Sequence, residues 1–207
     1  HGYELYKLID EPCYVDGTDY NNATTWSFCA GTTSGSVAIT DVGVRSPGGG
    51  SFYTGYFEGT AVFGDTILHS SGDKDIFIAR LSSSGLWSWA VRAGGLSEDQ
   101  GVEIATYQSG VAYVTGFFHG NATFGNISLT SNDGNTGGSD VFVAKLISDG
   151  SWSWAVRAGD GANDEGRGIA VDSGGNAYVT GYFQGPDATF GTISLSTSGN
   201  SDIFIAK

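Results

Sequence analysis

The stretch that decides the fold is Asp75-Ile76-Phe77-Ile78-Ala79-Arg80, which returns as Asp140-Val141-Phe142-Val143-Ala144-Lys145 and again as Asp202-Ile203-Phe204-Ile205-Ala206-Lys207. A phrase that recurs at spacings of 65 and 62 residues marks a chain built from repeated units. Two further phrases keep the same phase. WSWAVRAG occupies 87–94 and, verbatim, 152–159, while Thr54-Gly55-Tyr56-Phe57 reappears as Thr115-Gly116-Phe117-Phe118 and Thr180-Gly181-Tyr182-Phe183. A Phe-Gly pair follows each time, with its glycine at 64, 125 and 191.

Within one unit the pattern is β throughout. GIAVD (168–172) and NAYVTGYF (176–183) flank Ser173-Gly174-Gly175, and glycine supplies the positive φ that a tight hairpin turn needs. A Thr/Ser-rich excursion then leads to the DIFIAK strand, and a polar turn leads to WSWAVRAG. Strict alternation along that last strand places Trp152, Trp154 and Val156 on one face and Ser153, Ala155 and Arg157 on the other. Each unit therefore offers four main antiparallel strands and one extra hairpin. Composition agrees, with 34 glycines, 13% aromatic residues and no methionine.

The N-terminal stretch fits the same template. Tyr3 to Ile9 aligns with Val141 to Ile147, and Trp26 to Gly31 with Trp154 to Gly159, around an inserted DEPCYVDGTDYNNATT. The expected organisation is a degenerate first repeat at 1–74, a second at 75–139, a third at 140–201, and the opening strand of another at 202–207. Cys13 in the insertion and Cys29 on the strand after it suit a disulfide formed in an oxidising compartment, which would stabilise the fold by about 3 kcal/mol.

These phrases resemble the SBBP-type β-propeller repeat, found mainly in secreted and surface proteins of bacteria. The resemblance rests on GRGIAVDSGGNAYVTGYFQG, ATFGTISLSTSGNSDIFIAK and the SWSWAVRAG segments, and extends from about Trp26 to Lys207. It implies blades of four antiparallel strands and no fixed catalytic residues. Three units fall short of the four to eight blades of closed propellers, so the expected fold is an all-β, propeller-like open or incomplete ring.

Chemistry-bearing residues are sparse. The net charge of -13 offers nothing that would displace counterions from phosphates, which excludes a nucleic-acid partner. No run of about 18 apolar residues is present to span a bilayer. Of three histidines, His119 takes the place of Glu58 and Gln184 in the sister units, His69 closes a polar excursion, and His1 lacks a visible second ligand for a copper brace. The carboxylates of SEDQG (97–101) and GANDEGRG (161–168) recur with the unit, as turn-capping side chains would. The sharper reading makes Asp160, Asp164 and Glu165 oxygen ligands for Ca²⁺, with 131–140 as a second stretch; no other cofactor is expected. The Trp pairs read as packing between units rather than a sugar platform. Asn22, Asn121 and Asn126 head N-glycosylation sequons, so covalent glycans are an expected modification.

Both ends of the chain carry the same strand type, one strand more than three units require. Tyr3, Leu5 and Lys7 at one end and Ile203, Phe204 and Ile205 at the other are thus expected to be assembly strands. The expectation is an extracellular, non-enzymatic structural protein whose partner is itself, joined head to tail into a filament or surface layer by strand complementation. The alternative is a secreted propeller module that recognises a glycan or protein, and a propeller-type hydrolase or lyase comes third.

Overall fold

A computed structural model of the chain describes residues 31–44, 50–132 and 137–207. The described residues are almost wholly β, and a single 3-10 turn at Gln108–Gly110 is their only helical segment. Three antiparallel meanders follow one another. Unit one comprises β1 (Gly31–Val44), β2 (Ser51–Phe63), β4 (Asp75–Leu81) and β5 (Trp87–Gly95), with β3 (Thr66–His69) folded back on β2. Unit two runs β6 (Gln100–Tyr107), β7 (Val111–His119), β10 (Ser139–Leu146) and β11 (Trp152–Ala158). Unit three has β12 (Glu165–Val171), β13 (Ala177–Phe183) and β16 (Asp202–Ala206), and β16 is an edge. The phrase boundaries at 75, 140 and 202 fall inside these sheets, between the second and third main strands.

The Thr/Ser-rich excursions become hairpins. β8 (Asn121–Phe124) pairs with β9 (Ile127–Thr130), and β14 (Ala188–Phe190) with β15 (Ile193–Leu195). Each reaches back to the preceding unit: β8 pairs with β5 through Ala93 and Phe124, and Thr189 bridges Gly159. These hairpins tie consecutive units together by main-chain hydrogen bonds. Edge groups that would otherwise lack partners are thereby satisfied.

Apolar side chains of the central strands fill the space between units. Ile76 and Ile78 of unit one pack with Val114, Phe118 and Phe142 of unit two in one core cluster. Tyr113 and Val141 of unit two pack with Val179, Phe183 and Phe204 of unit three in another. Strands buried on both faces read as continuous apolar runs, which is why DIFIA carries no alternation.

The Trp pair departs from the simple alternation expected. A bulge between Lys145 and Leu146 pairs Lys145 with Trp154 and Leu146 with Trp152, so the two indoles point to opposite faces. Trp152 stands edge-on to Phe124 at 5.1 Å, and Trp154 contacts Tyr113 at 6.0 Å. The matching bulge at Arg80/Leu81 separates Trp87, against Phe63, from Trp89, against Phe52. A bulge inserts one residue into one strand only, and the alternation inverts beyond it.

Candidate functional site

The chemistry-bearing residues gather at the joints between units. At the first joint Arg92 on β5 donates to Asp75 Oδ2 at 2.5 Å, and Asp75 is fully buried. The same oxygen accepts the Ser71 amide at 2.9 Å, while Oδ1 is buried without a hydrogen-bond partner. Asp99 arrives from unit two, also fully buried, and accepts the amides of Gly95 at 2.7 Å and His119 at 3.0 Å. The two carboxylates converge on Gly94, where an added Cβ would lie 2.5 Å from Asp75 Oδ1 and 2.9 Å from Asp99 Oδ2. With φ at +141° as well, only glycine serves there.

The second joint repeats the design. Arg157 donates to Asp140 Oδ2 at 2.5 Å, Asp164 accepts the amides of Asp160 at 2.7 Å and Gln184 at 2.9 Å, and Gly159 lies between the carboxylates. Burial raises the Asp99 carboxyl to about 8, with the Asp75 charge adding to the effect, and raises Asp164 to about 6, helped by Asp160 and Asp140. Burial likewise raises Asp75 against the opposing pull of the Ser71 amide and Arg92. One proton kept on Asp99 leaves the Arg92, Asp75, Asp99 set neutral, with both carboxyl groups buried and Arg92 partly exposed.

The inner strands add a second fastening. Asp41 Oδ2 on β1 accepts the Ile104 amide of β6 at 2.9 Å, and Glu103 Oε2 on β6 accepts the Ile169 amide of β12 at 3.0 Å. Register places Asp41 opposite Thr54, Glu103 opposite Thr115 and Gly168 opposite Thr180, so unit three has glycine where its sisters carry the carboxylate. Thr54, Thr115 and Thr180 in turn donate to the carbonyls of Phe77, Phe142 and Phe204 at 3.2, 2.9 and 3.0 Å.

The Ca²⁺ candidates fall within the second joint. The Asp164 oxygens take the two amides named above, and those of Asp160 accept Ala162 at 2.8 Å and Asp187 at 3.3 Å. Glu165 pairs with Arg167. Within 131–140, Asp140 belongs to the Arg157 pair. Asn121 and Asn126 are exposed on the β8–β9 hairpin. His119 is half-buried, its Nδ1 at 2.6 Å from the Glu98 carbonyl, and His69 Nδ1 lies 3.1 Å from Thr60 Oγ1. Among the described residues no group of three or more His, Cys, Asp or Glu side chains is arranged to hold a metal ion. Of the expected assembly residues, Phe204 is buried in the core, while Ile203 and Ile205 are 79% and 80% exposed. Cys13, Cys29, Asn22, Tyr3, Leu5 and Lys7 lie outside the described residues.

Sequence reasoning caught the recurrence of the carboxylate turns but missed their arginine partners and the inner-strand carboxylates. The signal for the arginines was present, since Arg92 and Arg157 stand in a verbatim repeat.

Meanders stacked through repeated joints define a β-propeller-type module. The model of the SBBP family, a beta-propeller repeat, matches residues 154–182, which run from β11 through the second joint into β13. No curated protein matches the chain. No helix among the described residues is long and apolar enough to cross a membrane.

Proposed function

We propose that the chain is a non-enzymatic structural or adhesive module of the cell exterior, which joins to a further β-unit through the free edge and open face of unit three. The observation that carries this reading is a contrast at one repeat position: Ile78 is fully buried under unit two, while Ile205 is 80% exposed. β4 and β10 each receive a fourth strand, β5 and β11, on the side where β16 has a free edge. An edge of this kind takes up a strand by main-chain hydrogen bonds, with alternate side chains supplying specificity.

Self-assembly into a filament is the rival form of the proposal. It requires the first unit of one copy to seat on the third unit of the next. The strong negative charge suits a solvated surface, and glycans on Asn121 and Asn126 would extend from the exposed hairpin rather than into a joint.

A labelled peptide with the sequence of Trp152 to Gly159, the chain's own fourth strand, tests the edge directly. Saturable binding to the chain, lost in an Ile203→Lys/Ile205→Lys double variant, is the expected result. Absence of binding to the unaltered chain overturns the proposal.

A further inference from the structure

The joints carry a selection rule that decides which unit can seat on unit three. In both formed joints a threonine of the earlier unit meets a glycine of the later one. A Cβ added to Gly101 would lie 2.2 Å from Thr54 Oγ1, and one added to Gly166 would lie 2.1 Å from Thr115 Oγ1. Both threonines are fully buried, so neither contact has room to give. Gly101 and Gly166 hold the same register, opposite the glycines of the Thr-Gly phrase, Gly116 and Gly181. In unit one the residue at that register, opposite Gly55, is Ile39.

Unit three presents the earlier-unit half of a third joint. Thr180 is exposed beside Ile203 and Ile205, and Asp202 accepts the Ser198 amide at 3.0 Å as Asp75 accepts that of Ser71. We infer that this face is a docking site for a repeat unit of the kind seen in units two and three, with glycine opposite Thr180, and that the first unit of a second copy is excluded by Ile39. A branched side chain placed where the glycine sits would overlap the Thr180 hydroxyl. Unit one departs from the rule elsewhere too. Its long first strand stays paired with β2 from Gly31, through the stretch where units two and three turn and place Asp99 and Asp164. A unit with glycine at this register can therefore follow unit three, whereas one built like unit one cannot.

This inference rests on the reading of unit three as a joint, and its test separates the two. The full chain is extended past Lys207 by a second copy of residues 146–207, which continues the repeat in phase. A matched chain carries Gly166→Ile in the added copy only. Hydrogen exchange along the added copy of β12 is expected to show strong protection in the glycine form and protection lower by on the order of tenfold in the isoleucine form. Equal protection overturns the selection rule. If isoleucine unfolds the added unit, Thr180→Gly in the same chain is expected to restore protection, and failure to do so counts against the rule. The unextended chain is expected to show no self-association that Ile205→Lys abolishes, and such association in sedimentation would overturn the exclusion of unit one. Peptide binding to β16 with no difference between the extended forms leaves the joint standing and removes only the selection. Loss of peptide binding removes the joint itself.

Discussion

Ile78 and Ile205 occupy one position of the repeat, on one type of strand and facing one direction. Beneath unit two, Ile78 is sealed among Val114, Phe118 and Phe142 and has no exposed surface; Ile205 faces outward with most of its side chain exposed. The difference lies outside the strand that carries them, in what is packed on that face. A unit of this fold cannot bury both faces of its sheet alone, and its stability is in large part that of its joints. The comparison can be broken or sharpened by taking the joint apart piece by piece.

The largest effect is expected from the isoleucines themselves. Ile78→Ala should lower unfolding stability by about 3 kcal/mol in urea titration, through lost burial and the cavity left behind. Ile205→Ala should stay within about 0.5 kcal/mol. Comparable losses at the two sites would mean that the third face is covered after all. Next comes the buried ion pair. Arg92→Ala leaves Asp75 in the seam without its cation, and a loss of about 2–3 kcal/mol is expected in the same titration. The same change at exposed Arg167 should stay within about 0.5 kcal/mol.

The joint carboxylates set a pH dependence whose sign is unusual for acidic groups. Asp99 is raised to about 8 and Asp164 to about 6, from the ordinary aspartate value of about 3.8 in the unfolded chain. Across that window the folded protein holds protons that the unfolded chain has released, so stability falls as pH rises. The contribution of Asp164 is fully present below about pH 4 and gone above 6; that of Asp99 persists to about 8. Exposed Asp172, lowered to about 2 by its bonds to Asn176, acts oppositely below pH 4. The urea midpoint is expected to drop between pH 4 and 8, and Asp99→Asn should flatten the upper part of that fall. A midpoint rising over this range would contradict the buried, proton-holding joint. The smallest effect is expected at the inner strand. Glu103→Gln keeps an acceptor for the Ile169 amide and should cost about 1 kcal/mol or less, whereas Glu103→Ala should cost more.

Much of this was legible in the sequence for a physical reason. Period, strand type and burial follow from local chemistry, and the apolar run of DIFIA announces a strand covered on both sides. Tight turns such as that at Gly175, with φ at +80°, are announced by their glycines. The joints were less readable because they join residues far apart in the chain. Nothing local says that Asp99 reaches the amide of His119, or that Asp41 serves Ile104. The bulge beside Leu146 also escaped notice, since an alternating strand with one inserted residue spells the same letters as one without it. His119 stands where the sister units carry Glu58 and Gln184, and nothing in that alignment announces its tie to the Glu98 carbonyl, a contact made at the turn that brings Asp99 into the seam.

That bulge makes the molecule its own spectroscopic instrument. Trp89 and Trp152 report from the seam between units one and two, and Trp154 from the seam between units two and three. With Trp26, Trp87 and the indoles of the other seam replaced by phenylalanine, emission would come from one chosen seam at a time. The order in which the seams open under denaturant could then be followed by colour, with no dye attached.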